Sequence, residues 1–182
     1  LATSRLRLSI LQFSFARLAG SDPLLRVEMS STGEVACFGD DMEEALLKSV
    51  YASGPFIGKK AVLLSLGGIL NKKRFADSAK LLHDAGYRIY ATDTTCDFLN
   101  ENEVACRKVH KVHQDRKLNV LDFIRQKRVA FVINLTERDD DEDTSFTQKI
   151  TDGHLIRRAA VDNHIPLLTD LHLARSFVKA LT

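Results

Sequence analysis

From Ala61 to the end of the chain, short apolar runs alternate five times with stretches of helical period, and this rhythm restricts the fold more than any other feature of the 182 residues. The run "AVLLSL" at 61–66 reads as a buried strand, and "NKKRFADSAKLLHDAG" follows as a helix from Asn71 closed by Gly86. A strand at 88–91 precedes a helix at about 95–102, and a strand at 106–109 precedes a helix at 119–126. Two further pairs follow: strand 129–134 with a helix at about 153–162, and strand 166–168 with a helix at 170–181. Apolar strands separated by helices imply a parallel sheet covered on both faces. The predicted class is α/β, a doubly wound five-stranded parallel sheet.

Residues 1–40 do not share the rhythm. "FSFARLAGSDPLLRVEMSSTGEVACFG" sets turn signals between short apolar pieces, as β-structure and loops do. Alone it buries little, so it is expected to drape over the rest or fray. "DDMEEALLKSVYASG" then predicts one amphipathic helix, with Asp40 as N-cap, Glu43 three residues later and Gly54 as the stop. The expected layout is an appendage over 1–40, a connecting helix and linker over 41–58, and the α/β domain over 59–182.

With 26 basic against 24 acidic residues, the net charge of +2 is too even to predict a nucleic-acid partner. The apolar run 8–16 is too short and too interrupted to span a bilayer, so no membrane segment is predicted. Three cysteines without a C-x-x-C pair argue against a disulfide framework and fit a reducing, cytoplasmic compartment. Residues 1–20 are rich in Arg and Ser and lack acids, as organelle transit peptides do, which keeps a mitochondrial location open.

In an open parallel sheet, ligands bind beyond the carboxyl ends of the strands. The residues just after the predicted strands are Gly67, Gly68 and Asn71; Thr92, Thr94 and Thr95; Lys111 and His113; Asn134 and Thr136; and Thr169. Hydroxyls, amides, one ammonium and a helix amino end near Thr95 suit an anion such as a phosphate. Threonine and asparagine also cap helices and turns in most proteins, and spacing leaves both readings open. The pair His110 and His113 falls short of the ligands a metal needs, and no metal site is predicted. The acidic run "ERDDDEDTSF" lacks a calcium-loop spacing and reads as a solvated loop, and Cys96 reads as a packing thiol. No G-x-x-x-x-G-K-[ST] loop indicates nucleotide hydrolysis.

The stretch at 13–39 quoted above resembles the tail of the second ATP-grasp half of the carbamoyl-phosphate synthase large chain. Residues 59–182 resemble that family's C-terminal regulatory domain, of methylglyoxal-synthase-like fold, with "YATDTTCDFLNENEV", "FVINLT" and "IRRAAVDNHIPLLTD" carrying the match. The resemblance implies an allosteric role in pyrimidine or arginine biosynthesis, with a phosphorylated effector of the uridine or inosine nucleotide type. It implies effector contacts at Thr92, Thr95, Lys111, Asn134 and Thr136, with Thr92 and Thr95 gripping phosphate while Asp93 and Thr94 shape the turn. Thr169 falls at the position associated with ornithine. A further family lysine aligns with Asn71, where this chain has Lys72 and Lys73 next along, and Lys72 is taken as its counterpart. The acetylglutamate type carries tryptophan at Lys111, so lysine favours a phosphorylated effector.

Arg26 stands where the family pattern has glycine. Most of the ATP-grasp domain is absent, so no catalytic residue and no cofactor is assigned to this chain, ATP and magnesium belonging to the parent ligase. The implied partners are the rest of the synthase large chain and its glutaminase subunit or domain, and a homo-oligomer contact is a further reading. The rival is a methylglyoxal synthase acting on dihydroxyacetone phosphate, since "TDTTCDFL" is similar to its phosphate-holding turn. That chemistry needs a carboxylate base. "NLTERDDDED" lacks the glycines of the synthase's base-bearing loop and offers only Asp139 or Asp140.

Overall fold

The computed structural model describes residues 6–12, 18, 20–24, 33–53, 58–110, 119–136 and 152–182. In chain order their elements are β1 (Leu6–Gln12), β2 (Gly33–Gly39), α1 (Met42–Ser53), β3 (Ala61–Leu66), α2 (Gly68–Asp84), β4 (Arg88–Thr92), α3 (Asp93–Glu101), β5 (Cys106–Val109), α4 (Val120–Arg125), β6 (Phe131–Leu135), α5 (Asp152–Asp162), β7 (Leu167–Leu168) and α6 (Leu171–Leu181). Strands β3 to β7 form one sheet in the order β5-β4-β3-β6-β7, and every pairing in it is parallel. The predicted doubly wound five-stranded sheet is what the chain forms.

The strand order follows from the path of the chain. From β3 it steps outward to β4 and β5, then returns to the far side of β3 for β6 and β7. Right-handed crossovers in opposite directions put their helices on opposite faces. The two cores agree: Val62, Leu64 and Leu66 pack with Phe75 of α2, Leu99 of α3 and Phe177 of α6. Ala61 and Leu63, one residue out of step, pack with Ile124 of α4 and Ile156 of α5. Alternation along one strand thus feeds both layers. On the first face, Phe131 meets the Phe177 ring edge-on at 5.2 Å and the Tyr87 ring at 6.0 Å.

Several element ends differ from expectation, each for a local reason. The N-cap of α1 is Asp41 rather than Asp40: its carboxylate accepts the Glu44 N–H at 2.7 Å, while Glu44 reaches back to the Asp40 N–H at 2.6 Å. Helix α2 begins at Gly68, three residues before Asn71. The Asn71 side chain instead donates to the carbonyls of Gly67 (2.9 Å) and Thr136 (3.0 Å), tying the turn after β3 to the end of β6. Helix α4 keeps its predicted start, because Asn119 and Asp122 form a reciprocal capping box.

The amino-terminal portion lies against the α/β layers. Strands β1 and β2 pair antiparallel, and Leu8, Leu47 and Val50 pack onto the first core. Lys179 of α6 forms an ion pair with Glu43 of α1. Residues 18 and 20–24 meet α5, where Arg158 donates to the carbonyls of Leu18 (2.8 Å) and Ser21 (3.3 Å).

Candidate functional site

Strands β3 and β6 are neighbours whose following connections leave toward opposite faces, so their carboxyl ends part into a crevice. A cavity of about 330 Å³ lies there. Ser65, Leu66 and Gly67 form the β3 wall, and Asn134, Leu135 and Thr136 the β6 wall. Thr92 and Thr94 close it from the start of α3, and Asp152 and Gly153 from the start of α5.

The notch exists because the strands are staggered. Pairing of β3 with β4 stops at Leu64 and Ala91, whereas pairing with β6 runs on to Leu66 and Leu135. The Leu66 backbone is therefore left without a strand on the β4 side, and the Thr95 side chain fills the gap. Its oxygen accepts the Leu66 N–H at 3.0 Å and its hydroxyl donates to the Leu66 carbonyl at 3.3 Å. Thr92 donates to the same oxygen at 3.3 Å. With one donor and two acceptor sites in use, the Thr95 hydroxyl has no capacity left. Thr95 is wholly buried and lies behind the cavity wall, whereas the exposed Thr94 lines it.

Three helix amino ends converge on this space. Gly67 and Thr92, both wall residues, are the N-caps of α2 and α3, and neither helix is capped by a side chain. The first two residues of α5 supply the third. Uncapped first-turn N–H groups and the positive ends of helix dipoles make such a site attractive to anions.

Behind the β6 wall sits a charge network. Arg157 of α5 is only 2% exposed, and its Nη1 donates to Asn134 Oδ1 at 2.8 Å. Its Nε and Nη2 donate to the two carboxylate oxygens of Asp22 at 2.6 and 2.5 Å, a bidentate pair. His154 Nδ1 is 3.6 Å from Asp22 Oδ2. Burial works to raise the Asp22 pKa, but Arg157 and then His154 outweigh it and hold the carboxyl below its ordinary value. With its oxygen engaged by Arg157, Asn134 has its NH₂ left to offer the cavity. Gly153 permits this arrangement: a Cβ there would lie 3.0 Å from Arg157 Nη1 and 3.7 Å from Asn134 Oδ1.

Of the residues singled out from the sequence, Gly67, Thr92, Thr94, Asn134 and Thr136 line the cavity. Thr95 braces it from behind. Lys72 is half-buried on α2 and Thr169 follows the edge strand β7, and neither forms part of the lining. Lys111, His113, Asp139, Asp140, Arg26 and the acidic run lie outside the described residues. His110 bridges to Asn119. Cys96 is buried in the first core, and burial pushes the neighbouring Cys106 thiol well above its usual pKa, with the Cys96 contact adding to it.

Ser65, Asp152, Gly153 and Arg157 were missed. Ser65 had a signal, since it interrupts an otherwise apolar strand. Arg157 had none, because its carboxylate partner lies 135 residues away. Among the described residues, no helix is long and apolar enough to cross a membrane. No group of three or more His, Cys, Asp or Glu among them could hold a metal ion.

Comparison with known proteins adds an independent line. Residues 74–169 match the family described as the MGS-like domain. The chain is 39% identical over 179 residues to the multifunctional protein CAD of Squalus acanthias, and 37% identical over 177 residues to the multifunctional protein URA2 of Saccharomyces cerevisiae. It is 36% identical over 173 residues to the mitochondrial carbamoyl-phosphate synthase (ammonia) of Homo sapiens. These matches take in 93–94% of this chain and 8–11% of the relatives, so the chain spans about a tenth of their length.

Proposed function

Because the chain belongs to the MGS-like domain family, we propose that it is the regulatory module of a carbamoyl-phosphate synthase, and that its cavity takes a phosphorylated small molecule of the uridine or inosine nucleotide type. The observation that carries this reading is the convergence of three helix amino ends, two of them uncapped by any side chain, on one notch between β3 and β6. A phosphate there meets the Thr94 hydroxyl, the Asn134 NH₂, Thr136 and first-turn N–H groups. Thr92 forms part of the wall it faces, and Thr95 braces that wall from behind. Asp152 repels a phosphate but accepts from a sugar hydroxyl, which favours a nucleotide over inorganic phosphate and orients it. Lys111, two residues beyond the end of β5 in the chain, and Lys72 of α2 are the lysines that supply positive charge for the anion. Thr169 serves a separate amine-type regulator, and the rest of the synthase with its glutaminase is the body that the module acts on.

Regulation of this kind is a coupling free energy between two sites, typically about 1–3 kcal/mol. The binding half alone is measurable as thermal stabilisation, about 2.7 kcal/mol at a hundredfold excess over Kd. The test is a thermal-shift panel of UMP, IMP, UTP, phosphoribosyl pyrophosphate, N-acetylglutamate, ornithine and phosphate. Stabilisation by a nucleotide that is lost in Lys111→Ala is the expected result. A melting curve unmoved by every phosphorylated compound rejects the reading. Dihydroxyacetone phosphate is expected to yield no methylglyoxal.

A further inference from the structure

The tandem arginines of "IRRAA" are turned toward the amino-terminal segment, and neither is needed there for a helix to form. Arg158 holds the backbone of that segment through the Leu18 and Ser21 carbonyls, and is itself braced by Asp162. Arg157 takes the segment's one carboxylate, Asp22, with two of its nitrogens and gives the third to Asn134. The segment 18–24 thus ends on a wall residue of the cavity, although it precedes the family-matching residues 74–169 by fifty positions.

We propose that Asp22 is a positioning residue of the cavity, acting through Arg157 on Asn134, so that the segment 18–24 and the anion site are one coupled unit. The claim deepens the regulatory reading above and rests on it for the identity of the ligand.

The geometry supports it in three steps. A guanidinium that is 2% exposed needs a counter-charge, and Asp22 is the carboxylate bonded to it. The bidentate grip fixes the plane of the guanidinium, because two parallel N–H···O bonds leave it no freedom to rotate. The remaining Nη1 then fixes the Asn134 amide with its oxygen inward and its NH₂ toward the cavity. Without Asp22 the guanidinium loses its fixed plane, and Asn134 loses its orientation. Linkage works in both directions: an anion that draws on the Asn134 NH₂ strengthens the contact that docks residues 18–24. A contiguous chain of hydrogen bonds is a physical carrier for such coupling.

The test has two arms on the full chain. In the first, affinities for UMP and inorganic phosphate are measured by calorimetry for the unmodified protein, Asp22→Asn, Asn134→Ala and the double variant. Asp22→Asn should weaken binding at least tenfold, and should cost nothing further once Asn134 is alanine. A purely structural role would lower affinity equally in both backgrounds, and that result, or no loss in the first, overturns the proposal. Arg157→Gln with and without Asp22→Asn supplies a neutral background should the single variant fail to fold, and there the second substitution should leave affinity unchanged. The second arm needs no ligand. The Asn134 side-chain NH₂ and Arg157 Nε–H resonances should both move in Asp22→Asn, and unmoved resonances overturn the proposal. If the unmodified chain binds neither UMP nor phosphate, the thermal-shift panel above decides the regulatory reading, while the resonances still decide the positioning role.

Discussion

Thr95→Val removes one hydroxyl and keeps the shape of the side chain, so it isolates the bond that closes the end of β3. The hydroxyl holds both the N–H (3.0 Å) and the C=O (3.3 Å) of Leu66 at a wholly buried position, beyond the last β3–β4 pair. Valine leaves these buried backbone groups without that partner, which costs about 1–3 kcal/mol. For a chain of this size each kcal/mol lowers Tm by roughly 2–4 °C. Thr95→Ser keeps the hydroxyl and loses a buried methyl, for about 1 kcal/mol by comparison with other single-methyl deletions. Denaturant titration of both variants supplies the free energies, and hydrogen exchange at the Leu66 amide supplies the location. The amide should lose protection in the valine variant and keep it in the serine variant. A valine variant as stable as the parent, with Leu66 protection intact, would refute the assignment of Thr95 as a surrogate strand partner.

Gly153→Ala places a Cβ 3.0 Å from Arg157 Nη1, a group pinned on both sides, so UMP affinity measured by calorimetry should fall severalfold while far-ultraviolet dichroism stays unchanged. Asp22 titrates below its ordinary value in the folded chain, so its contribution is fully present above the unfolded carboxyl's pKa, roughly pH 4, and is lost as pH falls through the lower folded value. Stability curves of the parent and Asp22→Asn should therefore converge on acidification, with the His154 imidazole and the Arg157 guanidinium facing the site, and parallel curves would contradict the ion pair's role. Phe131→Ala, which empties a fully buried position between two aromatic rings, should cost about 3–5 kcal/mol in urea titration.

The strand–helix order was legible because the central strands are apolar runs broken by a single polar residue, Ser65 in "AVLLSL" and Asn134 in "FVINL", and because helix signals such as Gly86 and Asn119 stand between the runs. Which of Thr94 and Thr95 faces the ligand space was not legible. It depends on the β3–β4 pairing ending two residues short of the end of β3, and a register offset leaves no mark in composition or period. Asn71 could be located but not understood: its amide clamps Thr136, a contact between two elements. The Asp22–Arg157 pair was beyond reach for the same reason, since two charged residues so far apart in the chain each look like ordinary surface groups. Pattern reveals what a residue does to its own element; closure between elements has to be seen.

That separation also has a consequence for biosynthesis. Asp22 is synthesised 135 residues before Arg157, and at about 5–20 residues per second it waits roughly 7–27 s for its counter-ion to be made. The stretch around it can take up its contacts with Arg157 and Arg158 only once α5 exists, so it locks in place after strands that are made later than itself. A pause in translation before α5 would leave that stretch without those contacts however well the first strands of the sheet had formed.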